Sequence, residues 1–167
     1  MKLTDLLPVE KWIEFEKEIH RRSGLDSNVF DINGYRITGH KQWVNRLCPV
    51  VKDSDKGQSF ICAVAHMNIA AQAQREKQAV IEACDAGLVK MVVPIFCGNE
   101  FLGAVGACGL LAEDGEIDGF MINRTIGLDE NEIERLSRDI GMISMSKLTE
   151  LATYIQAGID AVIQNRC

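Results

Sequence analysis

The sequence predicts an α+β fold, an antiparallel sheet flanked by helices, on three observations. Apolar residues recur at helical spacing near the start and again at the end of the chain. An Asn33-Gly34 pair separates two short strand-like segments, and two longer runs, Lys90 to Cys97 and Glu100 to Gly109, are joined by Gly98-Asn99. With 167 residues, 47% apolar and 25% charged, the chain is long enough for one compact domain with a single sizeable core.

Val9, Trp12, Ile13 and Ile19 mark a first helix from Pro8 to Arg22, with Pro8 suited to its first turn and Gly24 to its C-terminal cap. Val29-Phe30-Asp31-Ile32 and Tyr35-Arg36-Ile37-Thr38 flank Asn33-Gly34, which predicts a two-residue hairpin with a type I′ turn. From about Lys56 to Arg75, Phe60, Ile61, Val64, Met67 and Ala71 mark one helix face, and Cys62, His66 and Ala70 an adjacent one. Cys62 and His66 therefore lie one above the other.

Val80 to Cys84 reads as a short strand, Asp85-Ala86-Gly87 as a turn, and Lys90 to Cys97 as a longer strand in which Pro94 predicts an edge position or a bulge. The small residues of Glu100 to Gly109 suit a strand that floors a cavity. Asp129 with Glu132 resembles a capping box before Ile133, Leu136 and Ile140. Ser144 then caps a last helix reaching Gln164, where Leu148, Ala152, Ile155, Ile159 and Val162 alternate steps of four and three. That seam predicts a homodimer through the C-terminal helix; the competing reading is that it covers the chain's own sheet.

The net charge of -6, from 24 acids against 18 basic residues, argues against a nucleic-acid surface. No apolar run is long enough to span a bilayer, and Met1-Lys2-Leu3-Thr4-Asp5 lacks the apolar core of a signal peptide, so a cytoplasmic location is expected. In that compartment the six cysteines are expected to be mostly reduced, which favours metal binding or packing over a disulfide framework.

Chemistry concentrates in three of them and one histidine: Cys48, Cys62 with His66 one turn later, and Cys84 opening Cys84-Asp85-Ala86-Gly87-Leu88. Cys97 and Cys108 sit on alternating strands and read as packing, although Cys108 can also face the cavity; Cys167 reads as incidental. No CxxC knuckle supplies the tight spacing of a structural zinc site. His20 reads as solvated; His40 and Trp43, between the hairpin and Cys48, read either as a pocket lid or as packing a loop on the core, with packing the favoured reading for Trp43. Glu113-Asp114-Gly115-Glu116 reads as a solvated loop, since it lacks the ligand pattern of a calcium site. A Cys62–His66 nucleophile and base would make an enzyme, but no orienting group is evident, and no phosphate loop, HExxH or GxSxG occurs. A third class is an interaction module whose working surface is the final helix.

Through Cys84-Asp85-Ala86-Gly87-Leu88, Val93-Pro94-Ile95 and Gly103, the chain resembles the PocR sensory-domain family over roughly Val9 to Ile140. The resemblance implies a PAS/GAF-like ligand-binding domain of signalling proteins that senses simple organic compounds such as alcohols. Cys48, Cys62 and Cys84 match the family's cysteine pattern. Asp85 stands where the family usually has histidine, His66 where an acid is common, and Gly109-Leu110 where Gly-Gln is usual.

The resulting expectation is a sensory domain over residues 1–140 and a signalling or dimerisation helix over 141–167. Its small-molecule pocket is expected to be lined by Cys48, Cys62, His66, Cys84, Asp85, Gly103 and Cys108. The alternative is a redox sensor holding a metal ion or metal-containing cofactor on Cys48, Cys62, His66 and Cys84. In either case binding biases the packing of the C-terminal helix, without turnover.

Overall fold

The computed structural model describes residues 1–164 and 166–167. A short helix α1 (Leu3–Leu6) leads into α2 (Val9–Ser23), which Gly24 ends in the left-handed conformation with its N–H on the His20 carbonyl. His20 accordingly belongs to this cap region: its ring nitrogen Nδ1 lies 3.0 Å from the Leu25 carbonyl, so the ring is part-buried against the chain and not simply solvated.

Strand β1 (Asp26–Asp31) follows, and its turn differs from expectation. Gly34 donates to the Asp31 carbonyl and Asp31 to the Tyr35 carbonyl, so the loop holds three residues, with Gly34 at φ 79°. Asn33 keeps a negative φ because the Asp31 carboxylate accepts from the Asn33 and Tyr35 N–H groups, which favours a type I turn ending in a left-handed glycine. The returning segment makes one bridge, Phe30 to Arg36, rather than a full strand.

Helix α3 (Leu47–Asp53) and the single turn α4 (Asp55–Gly57) run into a π-helical turn over Gln58–Ala63, continued by α5 (Val64–Glu76). The expected helix exists, but its apolar face is not the one that packs. Phe60 and Met67 are exposed, whereas Ile61, Ala65, His66, Ile69 and Ala73 are buried. The small stripe Ala65–Ile69–Ala73 lets α5 sit close on the sheet.

Strands β2 (Val80–Ala83), β3 (Val89–Cys97) and β4 (Glu100–Cys108) complete an antiparallel sheet of order β1-β4-β3-β2. Pro94 lies in an interior strand, but beyond the end of β2, whose last partner on β3 is Val92, and the register shifts beside it between Ile95 and Phe96. A two-stranded parallel pair, β5 (Leu111–Ala112) with β6 (Met142–Ile143), brackets α6 (Gly119–Ile126) and α7 (Glu130–Ser137). Asp129 caps α7 through the Asn131 N–H, while Glu132 is drawn away to Arg135, so the expected capping box is half made.

Helix α8 (Met145–Ile163) begins on Ser144, which accepts from the Lys147 N–H. Its stripe Leu148, Leu151, Ile155 and Ile159 is buried in the chain's own core with Trp12, Ile19, Met91, Val93 and Val105. The seam thus covers the sheet from within the chain. Strand alternation divides that sheet cleanly. Val89, Met91, Val93 and Ile95 of β3 face α2 and α8, whereas Val92 packs with Ile69 and Ala73 of α5 on the other side.

Cys97, at the end of β3, is joined to Cys167 by a disulfide with Cα atoms 5.5 Å apart. This corrects two expectations, since Cys97 is not a packing thiol and Cys167 is not incidental. No helix among the described residues is long and apolar enough to cross a membrane.

Candidate functional site

On the α5 side of the sheet lies a cavity of about 670 Å³. β1 contributes Asp26 and Phe30, β3 Lys90, and β4 Cys108, all on one face by alternation. Helix α3 presents Cys48 and, one turn on, Lys52; the π-helical turn presents Cys62, and α5 adds His66. Cys84 and Leu88 come from the turn after β2, where Cys84 donates to the Leu88 carbonyl and Gly87 to the Cys84 carbonyl. The segment after the β1 turn adds Arg36, Lys41 and Trp43, the last two solvent-exposed.

Of the residues expected at the site, Cys48, Cys62, His66, Cys84 and Cys108 line this cavity, and Asp85 and Gly103 do not. Asp85 is exposed in the turn. Gly103 lies toward the other end of β4, paired with Asp31, and a Cβ there would run into the Phe30 carbonyl, so it is glycine to let β1 and β4 close together. Trp43, expected to pack, is instead a half-exposed rim residue with the Lys41 ammonium 4.1 Å from its ring centre.

His66 stacks on Phe30, with ring centroids 3.7 Å apart. Burial, followed by Lys90, Arg36 and Lys52, pushes the imidazole down to about 3, so it is neutral at physiological pH. Its Nδ1 is buried without a hydrogen-bond partner. Burial also pushes the thiols upward, Cys48 to about 12, with Cys62 and Cys84 raised for the same leading reason. Protonated thiols are poor nucleophiles. Among the described residues no three His, Cys, Asp or Glu side chains are grouped to hold a metal ion. Cys48, Cys62, His66 and Cys84 therefore share a cavity without forming a coordination set.

Several important residues escaped the sequence reading. Asn45 ties α3 to the end of β4, donating to the Gly109 carbonyl at 2.7 Å and to the Cys48 sulfur at 3.2 Å. Phe30 and the cations Arg36, Lys41, Lys52 and Lys90 were also passed over. The available signal was Lys90, a charge inside the otherwise apolar run Val89 to Ile95.

Residues 5–166 match the family described as the sensory domain found in PocR. The chain belongs to the PocR sensory-domain family. The PocR match extends past Ile140 and takes in α8. No curated protein and no solved structure matches the chain. Membership makes this a sensory domain, and Cys48, Cys62 and Cys84 line one cavity.

Proposed function

We propose that this PocR domain senses a small organic molecule held in the cavity between the sheet and the Cys62–His66 helix. Occupancy would be read out through α8. The observation that carries this is the arrangement around β3: Lys90 faces the cavity, while its neighbours Val89 and Met91 face the core that contains Leu148, Leu151 and Ile155 of α8. A ligand that moves one face of this strand repacks the other, because packed cores shift between discrete arrangements and do not deform smoothly. Size and lining support the reading as well, since ligand cavities of this scale combine apolar walls with a few polar groups.

In this scheme the thiols of Cys48, Cys62, Cys84 and Cys108 act as a polarizable wall and His66 as the neutral hydrogen-bonding group. Residues 1–140 hold the ligand and 141–167 carry the output. Because the Leu148–Ile159 stripe is occupied internally, a homodimer through α8 would use the helix's outward face.

The test is a small-molecule library screened by thermal shift on the wild-type protein and on Cys62→Trp, which fills the cavity. Binders should stabilise the wild type and lose their effect on the variant. Binders that stabilise both proteins equally would place the ligand elsewhere.

A further inference from the structure

The cavity has an unexpected electrostatic character. The chain is acidic overall, yet Arg36, Lys41, Lys52 and Lys90 line this one space against a single carboxylate, Asp26. None of the ion pairs among the described residues involves any of these cations. Lys90 is only 8% exposed, and its ammonium finds the Phe30 ring 5.2 Å away in place of a carboxylate. Arg36 approaches the same ring, its guanidinium carbon 5.9 Å from the centre.

Withdrawing cations from water without counter-charge is unfavourable, and a cation–π contact offsets only part of the loss. Burial, with the Arg36 charge next, lowers both Lys41, to about 8, and Lys52. Four cations gathered from a loop, a helix and a strand around an empty space are the arrangement an anion completes. Apolar and aromatic side chains, Phe30, Trp43, Val44 and Leu88 among them, lie beside the charges, with Asn33 and Gln58 as neutral polar groups. Buried Nδ1 of His66 supplies a further polar atom that nothing in the protein satisfies.

We propose that the ligand is a small organic anion, a carboxylate or phosphate on an apolar body, its charge met by Arg36, Lys41, Lys52 and Lys90 and its body lying against Phe30 and Trp43. This rests on the sensory reading of the cavity and narrows it from simple neutral compounds to acids. Lys52 and Lys41 at the mouth draw the anion in; Lys90 and His66 receive it at depth.

The experiment is isothermal titration of 3-phenylpropionate and phenyl phosphate against the neutral 3-phenylpropionamide and benzyl alcohol. It is run on the wild type, Lys90→Met and, as a partly exposed site that folding should tolerate, Lys52→Met. At least one anion should bind about tenfold more tightly than its neutral counterpart, and each substitution should weaken that anion about tenfold while sparing the neutral probe. Which anion binds distinguishes a carboxylate from a phosphate ligand. Neutral probes binding as tightly as the anions would overturn the proposal while leaving the cavity as a sensory site. Failure of both anions to bind at millimolar concentration would also overturn it, and the sensory reading would then stand or fall on the library screen with Cys62→Trp.

Discussion

The imidazole of His66 lies on the Phe30 ring with centroids 3.7 Å apart and planes inclined by 28°, joining α5 to the cavity face of β1. The stack is a hydrophobic and dispersion contact made by a group that can titrate, and protonation in this buried, cation-rich setting works against it.

Stability should therefore fall in acid in a way traceable to His66. Its folded value of about 3 lies below the ordinary 6.5, so the unfolded chain takes up the proton first. The contribution is complete above pH 6.5 and is lost progressively as pH drops toward 3. His66→Phe keeps a ring against Phe30 and removes the titration. Denaturant melts between pH 7 and 4 should show the wild type losing stability relative to the variant; parallel profiles would contradict this.

Glu16 should behave with the opposite sign. Its buried carboxylate accepts from the Val29 N–H and the Thr38 hydroxyl, and burial raises it above the usual carboxylate value of 4.5. The unfolded chain then ionises first as pH rises, so this residue's contribution is full below 4.5 and diminishes above it. Glu16→Gln retains an acceptor for Val29 and should cost less than about 1 kcal/mol at pH 7, whereas Glu16→Ala should cost about 1–3 kcal/mol. The wild type should gain on Glu16→Gln as the pH is lowered toward 4.5, with no further gain below it. Equal losses for both variants at pH 7 would show that the hydrogen bonds are not what matters.

Lys90→Met should stabilise the ligand-free protein. The lysine is buried without a carboxylate, and an unbranched apolar side chain of similar length fills the same space beside Phe30. A gain of about 1–2 kcal/mol is expected in a chemical melt. A loss of that size would mean that the ammonium is stabilised by groups beyond the ring.

Cys97 and Cys167 tether the end of β3 to the end of the chain across 70 residues of sequence. Cys97→Ser and Cys167→Ser should each lower stability by about 2–4 kcal/mol, with the double variant no worse than either. Adding a reductant should bring the wild type down to the same level. Unequal single variants would show that one sulfur has a role outside the bond.

Legibility of the sequence followed the range of the interaction. Gly24, Ser144 and the Gly98-Asn99 connection act on their immediate neighbours, and each punctuates the chain as expected. The Asn33-Gly34 turn deviated because the competing signal was a side chain, the Asp31 carboxylate, that rewards another turn type. Face assignment on α5 failed because the stripe that packs is built largely of alanines, Ala65 and Ala73, whose apolar signal is weaker than that of the exposed Val64 and Met67. Cys48, Cys62 and Cys84 reached the cavity together, but its cations come from segments far apart in sequence that share no spacing. Likewise the α8 seam had a correct period and an unreadable partner, since periodicity shows that a stripe is buried and not what buries it.

Coupling between cavity and α8 across β3 is the central claim, and residue-resolved hydrogen exchange with and without a bound cavity ligand tests it most directly. The account predicts slower exchange in the Cys62–His66 helix and in β3, accompanied by a change along Leu148 to Ile159 of α8. Protection confined to the cavity lining, with α8 exchanging at its unliganded rate, would contradict it.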